Sequence, residues 1–428
     1  MILRYIHTLW RIFWRILFLF AATILVLLLV TVGLLQLPKS QDFIKNEVVT
    51  AFNRQYEGEL SVGEVSGFLP FSATVSDMEF SHPDFPGEPA ILISRAEVNI
   101  SLWYLLQRSF VVSSFEIQSP VVNLKRADDR SNVTALFTRL EERERDSASP
   151  TPGQEPASSP QLFTDVSIYA PSLTIASGTL TADHTVQIPE NLALPTPLLI
   201  DDIHLEIFLE ATERQIFFDL TSLTADIPNS TYGNLSLSGQ FYNDGEFFEL
   251  NRFQISTETA HADFSFEARP VDLREPDLGE QFQDARYSID ISESSFHSEF
   301  IRQFIPAYPT FPEDLQITLI SEGDADEYFV DRFEAGIGES SILISAQGRN
   351  LFQDSMSFQT ILDNVVIHPD QLSWISDTYL EGETDLTAYQ LSVIRGELGG
   401  TPENLSANFL AETLAGSFRL QADLNTGE

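Results

Sequence analysis

The sequence predicts a mainly β protein tethered by one amino-terminal membrane helix. Three observations predict it. Ile16 to Leu35 is a run of twenty residues without a charge, apolar residues recur with a period of two from Glu59 onward, and helical spacing is confined to a few short stretches.

The apolar run comes first. As a helix it is about 30 Å long, the thickness of a bilayer's hydrocarbon core. Ile16, Phe20, Leu25, Leu29 and Leu35 mark this anchor. Arg4, Arg11 and Arg15 precede it with no acidic residue among them, whereas Lys39, Asp42, Lys45 and Glu47 follow as a mixed group. The positive-inside bias places Met1 in the cytoplasm and the bulk of the chain across the membrane. Trp10 and Trp14 suit the headgroup interface. A cleaved signal peptide is the competing reading, but the run exceeds the usual apolar length of about 7 to 15 residues, and Val32-Gly33-Leu34-Leu35 is a poor cleavage site. Residues 1–37 therefore read as cytoplasmic tail and transmembrane helix.

Charge and composition exclude several functions. A net charge of −39 over 428 residues opposes nucleic-acid binding, which needs the opposite sign. Only three lysines occur, the last at Lys125, and the carboxylates are scattered between strands, so the surface is acidic and well solvated. With no cysteine there is no disulfide, thiol nucleophile or thiolate metal site.

Pro38 closes the membrane helix, and Ser40 can cap a second helix with Ile44, Val48, Ala51 and Phe52 on one face and Gly58 at its end. Short strands follow through Leu60, Val62 and Val65, through Phe71, Ala73 and Val75, and through Met78 and Phe80. Ile91 to Leu102 is a further strand, Trp103 to Arg108 a brief crossing, and Phe110 to Lys125 one long strand or two. Thr134 to Arg145 has helical spacing. Residues 38–145 thus form a β domain with a leading helix, and residues 146–160, rich in Ser, Pro and Glu, form a disordered linker. Residues 161–428 are strand and turn almost throughout. Two parts of this region, each a strand, a short helix and three or four more strands, recur at roughly seventy residues. One contains Phe300 to Ile305 and the other Pro369 to Ile375 as its helix.

The order of parts has a likeness. One apolar anchor precedes a short helix, then Gly58-Glu59-Leu60-Ser61-Val62, Phe71-Ser72-Ala73-Thr74-Val75, Ala96-Glu97-Val98-Asn99-Ile100, Phe115-Glu116-Ile117 and Ser119-Pro120-Val121-Val122-Asn123-Leu124. This series resembles the amino-terminal part of the AsmA-like and TamB family of diderm bacterial envelopes. Family members often carry an Asp-Gly-x-x-Asn turn, whose counterpart here is Asp128-Asp129-Arg130-Ser131-Asn132, without the glycine.

Amphipathic strands need their apolar faces covered. Helices are too few to do it, so the strands must form a sandwich or a sheet curled on itself. The resemblance implies the second: an elongated curled β-sheet groove of β-taco-like repeats, with about fifteen strands after the linker. It further implies an inner-membrane protein with a periplasmic bulk that carries phospholipid between the inner and outer membranes. The alternative is a translocation and assembly module for outer-membrane or autotransported proteins, working with an outer-membrane barrel partner of the TamA/BamA type. A third reading is an inert tethered scaffold or adhesin. The lining expected for the groove is Ile203, Leu205, Ile207, Leu235, Leu237, Phe264, Phe266, Ile289, Leu315, Ile317, Ile342, Ile344, Phe418 and Leu420. As core of a sandwich the same residues would be dry.

No catalytic constellation stands out, and the chain reads as no enzyme and as needing no cofactor. The seven histidines show no pair at metal-ligand spacing. Asp324-Ala325-Asp326-Glu327 starts like a calcium loop, but Tyr328 holds the next ligand position and no closing glutamate follows, so a solvated hairpin turn is expected. Asp201 and Asp202, adjacent on a strand, should point to opposite faces. Gly399-Gly400 suits a turn.

Overall fold

In the computed structural model, described residues are 33, 36–69, 71–101, 111–127, 130–140, 168–187, 194–212, 214–275, 278–305, 308–350, 355–368, 391–413 and 416–425. The chain is mainly β. It divides into two compact units, Met1–Pro152 and Gly153–Glu428, with the boundary inside the expected linker. The anchor, with Ile16, Phe20, Leu25, Leu29 and Leu35, lies outside the described residues, as do Trp103 to Arg108 and Pro369 to Ile375. No helix among the described residues is long and apolar enough to cross a membrane.

The first unit opens with helix α1 (Pro38–Gln55). Its start corrects the expected cap. Pro38 is the first helical residue and Leu37 the N-cap, so Ser40 lies inside the first turn. Proline belongs there because its fixed φ fits a helix start and its missing N–H is not needed. Phe52 packs inward as expected, but Val48 and Ala51 face out. Strands β1 (Glu59–Ser66), β2 (Ser72–Ser81), β3 (Ile91–Ile100) and β4 (Val112–Leu124) pair antiparallel in chain order. The helix docks through aromatic rings: Phe52 lies 5.0 Å from Tyr56, 5.5 Å from Phe80 and 6.1 Å from Phe137.

The rest of this unit locks that layer in place. A two-residue ladder, β5 (Arg126–Ala127) with β6 (Arg130–Ser131), leads into helix α2 (Asn132–Leu136). This helix begins before the predicted Thr134, because Ser131 caps it by accepting from the Thr134 N–H, and residues 141–145 of the expected span lie outside the described residues. Asn132, 1% exposed, accepts from the Lys125 and Val133 N–H groups and donates to the Asn123 carbonyl at 2.5 Å. Leu136 is fully buried, and a Cβ on Gly58 would sit 2.7 Å from its carbonyl oxygen. Glycine is needed there for close approach, not to end the helix.

The second unit is a meander of fourteen strands. These are β7 (Ile168–Ala182), β8 (Leu198–Ala211), β9 (Ile216–Ile227), β10 (Gly233–Asn243), β11 (Phe248–Ser256), β12 (Ala260–Arg269) and β13 (Arg286–Phe296). They continue as β14 (Leu315–Gly323), β15 (Glu327–Ile337), β16 (Ser340–Arg349), β17 (Ser357–Val366), β18 (Leu391–Thr401), β19 (Asn404–Thr413) and β20 (Gly416–Asn425). Each pairs antiparallel with the next. Thirteen interstrand steps of about 4.8 Å give a sheet on the order of 60 Å across its strands. Helix α3 (Leu278–Asp284) lies between β12 and β13, and α4 (Ser298–Arg302) between β13 and β14. The first predicted repeat is present as β13, α4, β14, β15 and β16; the helix of the second falls outside the described residues. Gly399 and Gly400 sit within β18 rather than in a turn, because a Cβ at Gly400 would lie 1.9 Å from the Asn404 carbonyl oxygen of the neighbouring strand.

From β9 to β17 every second strand carries a bulge. β9, β11, β13, β15 and β17 each hold one extra residue against both neighbours, at Thr221-Ser222, Asn251-Arg252, Ser292-Glu293, Asp331-Arg332 and Asp363-Asn364. Arg252 (φ 49°) and Glu293 (φ 46°) take left-handed backbone to make it. All ten bulge residues are polar. An extra residue on one side lengthens that side and bends the strand away from it, so a row of polar bulges curves the sheet toward its other, apolar face.

Candidate functional site

Residues directly opposite in a ladder share a face, so the pairings trace rows across the sheet. One row crosses all fourteen strands: Ala170, Leu209, Phe218, Phe241, Leu250, Phe266 and Ile289, then Ser321, Val330, Ala346, Thr360, Leu398, Ala407 and Ala422. A second runs from Phe253 through Phe264, Ile291, Leu319, Phe333, Ile344, Leu362, Gly396 and Phe409 to Leu420. A third joins Ile317, Ala335, Ile342, Val365, Ile394, Ala411 and Phe418. Leu205, Leu223, Leu237 and Ile255 form a fourth.

All fourteen expected lining residues fall on this one face. Ile203, Leu205 and Ile207 bring it to β8, and Leu235 and Leu237 to β10. Phe264 and Phe266, Ile289, Leu315 and Ile317, Ile342 and Ile344, and Phe418 and Leu420 continue it through β12, β13, β14, β16 and β20. The expected lining left out Leu223, Phe241, Leu250, Phe333, Leu362 and Phe409, which share the face.

Their burial separates a groove from a sandwich. None of the fourteen is buried: twelve are half-buried, and Phe418 and Leu420 are each 54% exposed. A second sheet packed on this face would dry the Leu, Ile and Phe side chains. The buried hydrophobics among the described residues of these strands are six alanines together with Leu198, Leu220, Ile227, Ile337 and Val365. The rows therefore touch one another along the sheet while their outer surface stays open.

The face is also free of charge. Among the described strand residues it presents no carboxylate, guanidinium, amine or imidazole, whereas the opposite face carries Glu206, Asp219, Glu249, Asp263, Glu267, Asp290 and Glu322. Its polar groups are engaged: the Ser321 hydroxyl lies 2.9 Å from the Tyr328 hydroxyl, and Asn243 donates to the Phe247 and Val271 carbonyls.

Two short helices lie over this face, at opposite ends of β13. Phe282 of α3 stands 5.4 Å from Phe248, and Ala268, Val271 and Ala285 form a small dry cluster there. Phe300 of α4 lies 5.6 Å from Phe296 and 6.3 Å from Tyr232, whose hydroxyl donates to Gln303. Neither helix was fully legible; α3 was not expected at all.

The strand ends are acidic turns. Asp324 accepts from the Asp326 and Glu327 N–H groups, which makes the expected solvated turn, and Asp244 accepts likewise from Glu246 and Phe247. Burial pushes the Asp244 carboxyl up, and these N–H bonds with the Tyr242 hydroxyl outweigh it, leaving it below the usual range. Asp272 is also held low, chiefly by its bond to Arg274 at 2.7 Å. Asp201 and Asp202 do not point to opposite faces: Asp202 has φ 49°, the ladder shifts beside it, and both are exposed. The Thr179 hydroxyl donates to Asp201 and lowers its pKa. In the first unit, His82 and Glu57 form a buried pair at 3.6 Å that the sequence did not betray. Asp84 N–H donates to His82 Nδ1, which leaves Nε2 turned to Glu57. Among the described residues no three His, Asp or Glu side chains are grouped to hold a metal ion.

These features define a class: a mainly β protein built as an open meander, with one uncharged apolar face left accessible from strand to strand. No family model matches the chain, and no curated protein and no solved structure matches it.

Proposed function

We propose that this protein is an inner-membrane-anchored periplasmic conduit in which phospholipid moves along the apolar face between inner and outer membranes. The observation that carries the reading is the uncharged, half-open face that continues across fourteen strands. An acyl chain in water costs about 0.8 kcal/mol per methylene, and a continuous apolar surface removes most of that cost at every step. The outer face, bearing carboxylates, keeps the sheet soluble. No nucleophile or cofactor is needed for such passage. The likeness of the first strands to the AsmA-like and TamB family supports the same reading.

Photocrosslinking probes at Leu237 and Ile317 in the full chain test it. Lipid captured at both positions is the expected result, with Leu237→Asp or Ile317→Asp blocking passage. Probes that never capture lipid would sink the proposal.

A second reading has its own observation. β20 pairs only with β19 among the described residues, all ten of its residues are exposed, and Phe418, Leu420 and Leu424 alternate along it. Such an edge suits β-augmentation by a client strand or an outer-membrane barrel, as a translocation and assembly module requires. Disulfide trapping between cysteines placed on β20 and a barrel partner, without lipid capture in the groove, would favour it.

A further inference from the structure

We propose that the groove selects phospholipids by headgroup, accepting zwitterionic, ammonium-bearing lipids over anionic ones. This rests on the lipid reading above. The lining cannot discriminate headgroups, because it bears no charge and meets only acyl chains. A headgroup must ride where the apolar face meets water, along the strand ends. There the turns present exposed carboxylates at both rims: Glu246, Asp326 and Glu403 at one, Glu258, Glu313 and Glu339 at the other.

The cations beside these turns are committed. Arg269 bonds Glu267 at 2.5 Å, Arg274 bonds Asp272 at 2.7 Å, and Arg349 bonds Glu327 at 3.0 Å. Arg286 reaches Glu322 at 3.4 Å. Arg302 donates to Thr310 and shares its loop with Glu299, Glu313 and Asp314, His368 lies 3.4 Å from Glu339, and Arg214 stands on the turn after β8. No lysine follows Lys125. A phosphate is accepted by arginine forks and lysines, and here carboxylates outnumber them along both rims. An ammonium beside the phosphate offsets that repulsion; a glycerol headgroup does not.

The range of the effect is short. At physiological ionic strength charges are screened beyond about 8 Å, so only headgroups at the rim are sorted, and high salt should abolish the sorting. One unit charge a few ångströms from a carboxylate in water corresponds to a preference on the order of fivefold.

The test uses the full chain held by its anchor in vesicles of equal phosphatidylethanolamine and phosphatidylglycerol, with a photocrosslinking residue at Ile317 and captured lipid identified by mass spectrometry. At low salt the ethanolamine lipid should be captured in excess, on the order of fivefold, falling to parity near 1 M salt, where the screening length is about 3 Å. Joint Glu246→Gln, Asp326→Asn, Glu313→Gln, Glu339→Gln and Glu403→Gln should bring the low-salt ratio toward one with total capture unchanged. If that variant does not fold, the salt series on the native chain decides. Equal capture at low salt, an excess of the anionic lipid, or an excess that survives 1 M salt overturns the selection and leaves the conduit standing. Capture of neither lipid overturns the conduit itself.

Discussion

The four-stranded sheet of the first unit and the fourteen-stranded sheet of the second are made from strands of one kind, yet they meet water differently. In the first, α1 lays Phe52 and Tyr56 against the sheet, and Leu60, Leu136 and the Glu57–His82 pair are dry. In the second, α3 and α4 cover only patches near the strand ends, over Phe248 and Ala268 and over Phe296 and Tyr232, and most of the Leu, Ile and Phe of the rows stay half open. The comparison separates two uses of an amphipathic strand. With a cover, its apolar face is a core; without one, it is a surface for something else.

Substitutions should divide along the same line. Leu136→Ala empties a fully buried site and should destabilise the first unit by about 3 kcal/mol, read as a lower urea midpoint. His82→Ala should cost nearly as much, about 2–3 kcal/mol, because the Glu57 carboxylate loses its nearer ion-pair partner in a dry site and keeps Arg130 at 3.9 Å. In the second unit, Arg252→Val forces a β-branched residue into left-handed backbone and should cost about 1–2 kcal/mol, whereas Arg252→Gly should be tolerated. Leu223→Ala, on the open face, should cost only about 1 kcal/mol in the same urea titration. A midpoint loss as large as that of Leu136→Ala would mean that the face is covered after all.

The smallest effect is acid sensitivity. Asp272 has a lowered pKa, so its bond to Arg274 contributes stability that is whole above the unfolded carboxyl pKa of about 4. That stability is lost as pH falls through the folded value. Melting temperatures of the full chain from pH 6 to 3 should fall less steeply in Asp272→Asn than in the parent. Separately, a long flexible insert between Leu37 and Pro38 should impair lipid transfer by moving the groove from the bilayer, and unimpaired transfer would count against the anchor's proposed part.

Strict alternation made the strands legible, and with them the apolar face. Ile203, Leu205 and Ile207 or Ile342 and Ile344 could be read because their strands keep one parity along those residues. The bulged strands hid their share of the face: in β11 the inner set is Phe248 and Leu250 before Arg252 but Phe253 and Ile255 after it, so a period-two reading slips by one. β13 does the same at Glu293. Curvature was illegible for the same reason, since it resides in those extra residues. Helix α3 is too short to announce itself by periodicity, and the Glu57–His82 pair joins residues that only the fold brings together.

From β9 to β17 the alternation of bulged and regular strands makes the hairpin, not the strand, the interchangeable part of the sheet. Two strands inserted or removed together would carry one bulge with them and leave every row in register. A single strand would reverse direction and break the pattern. Length can therefore vary in steps of two strands, each adding about 10 Å, while cross-section and lining stay constant. A span between membranes of different separation could be matched by hairpin number alone.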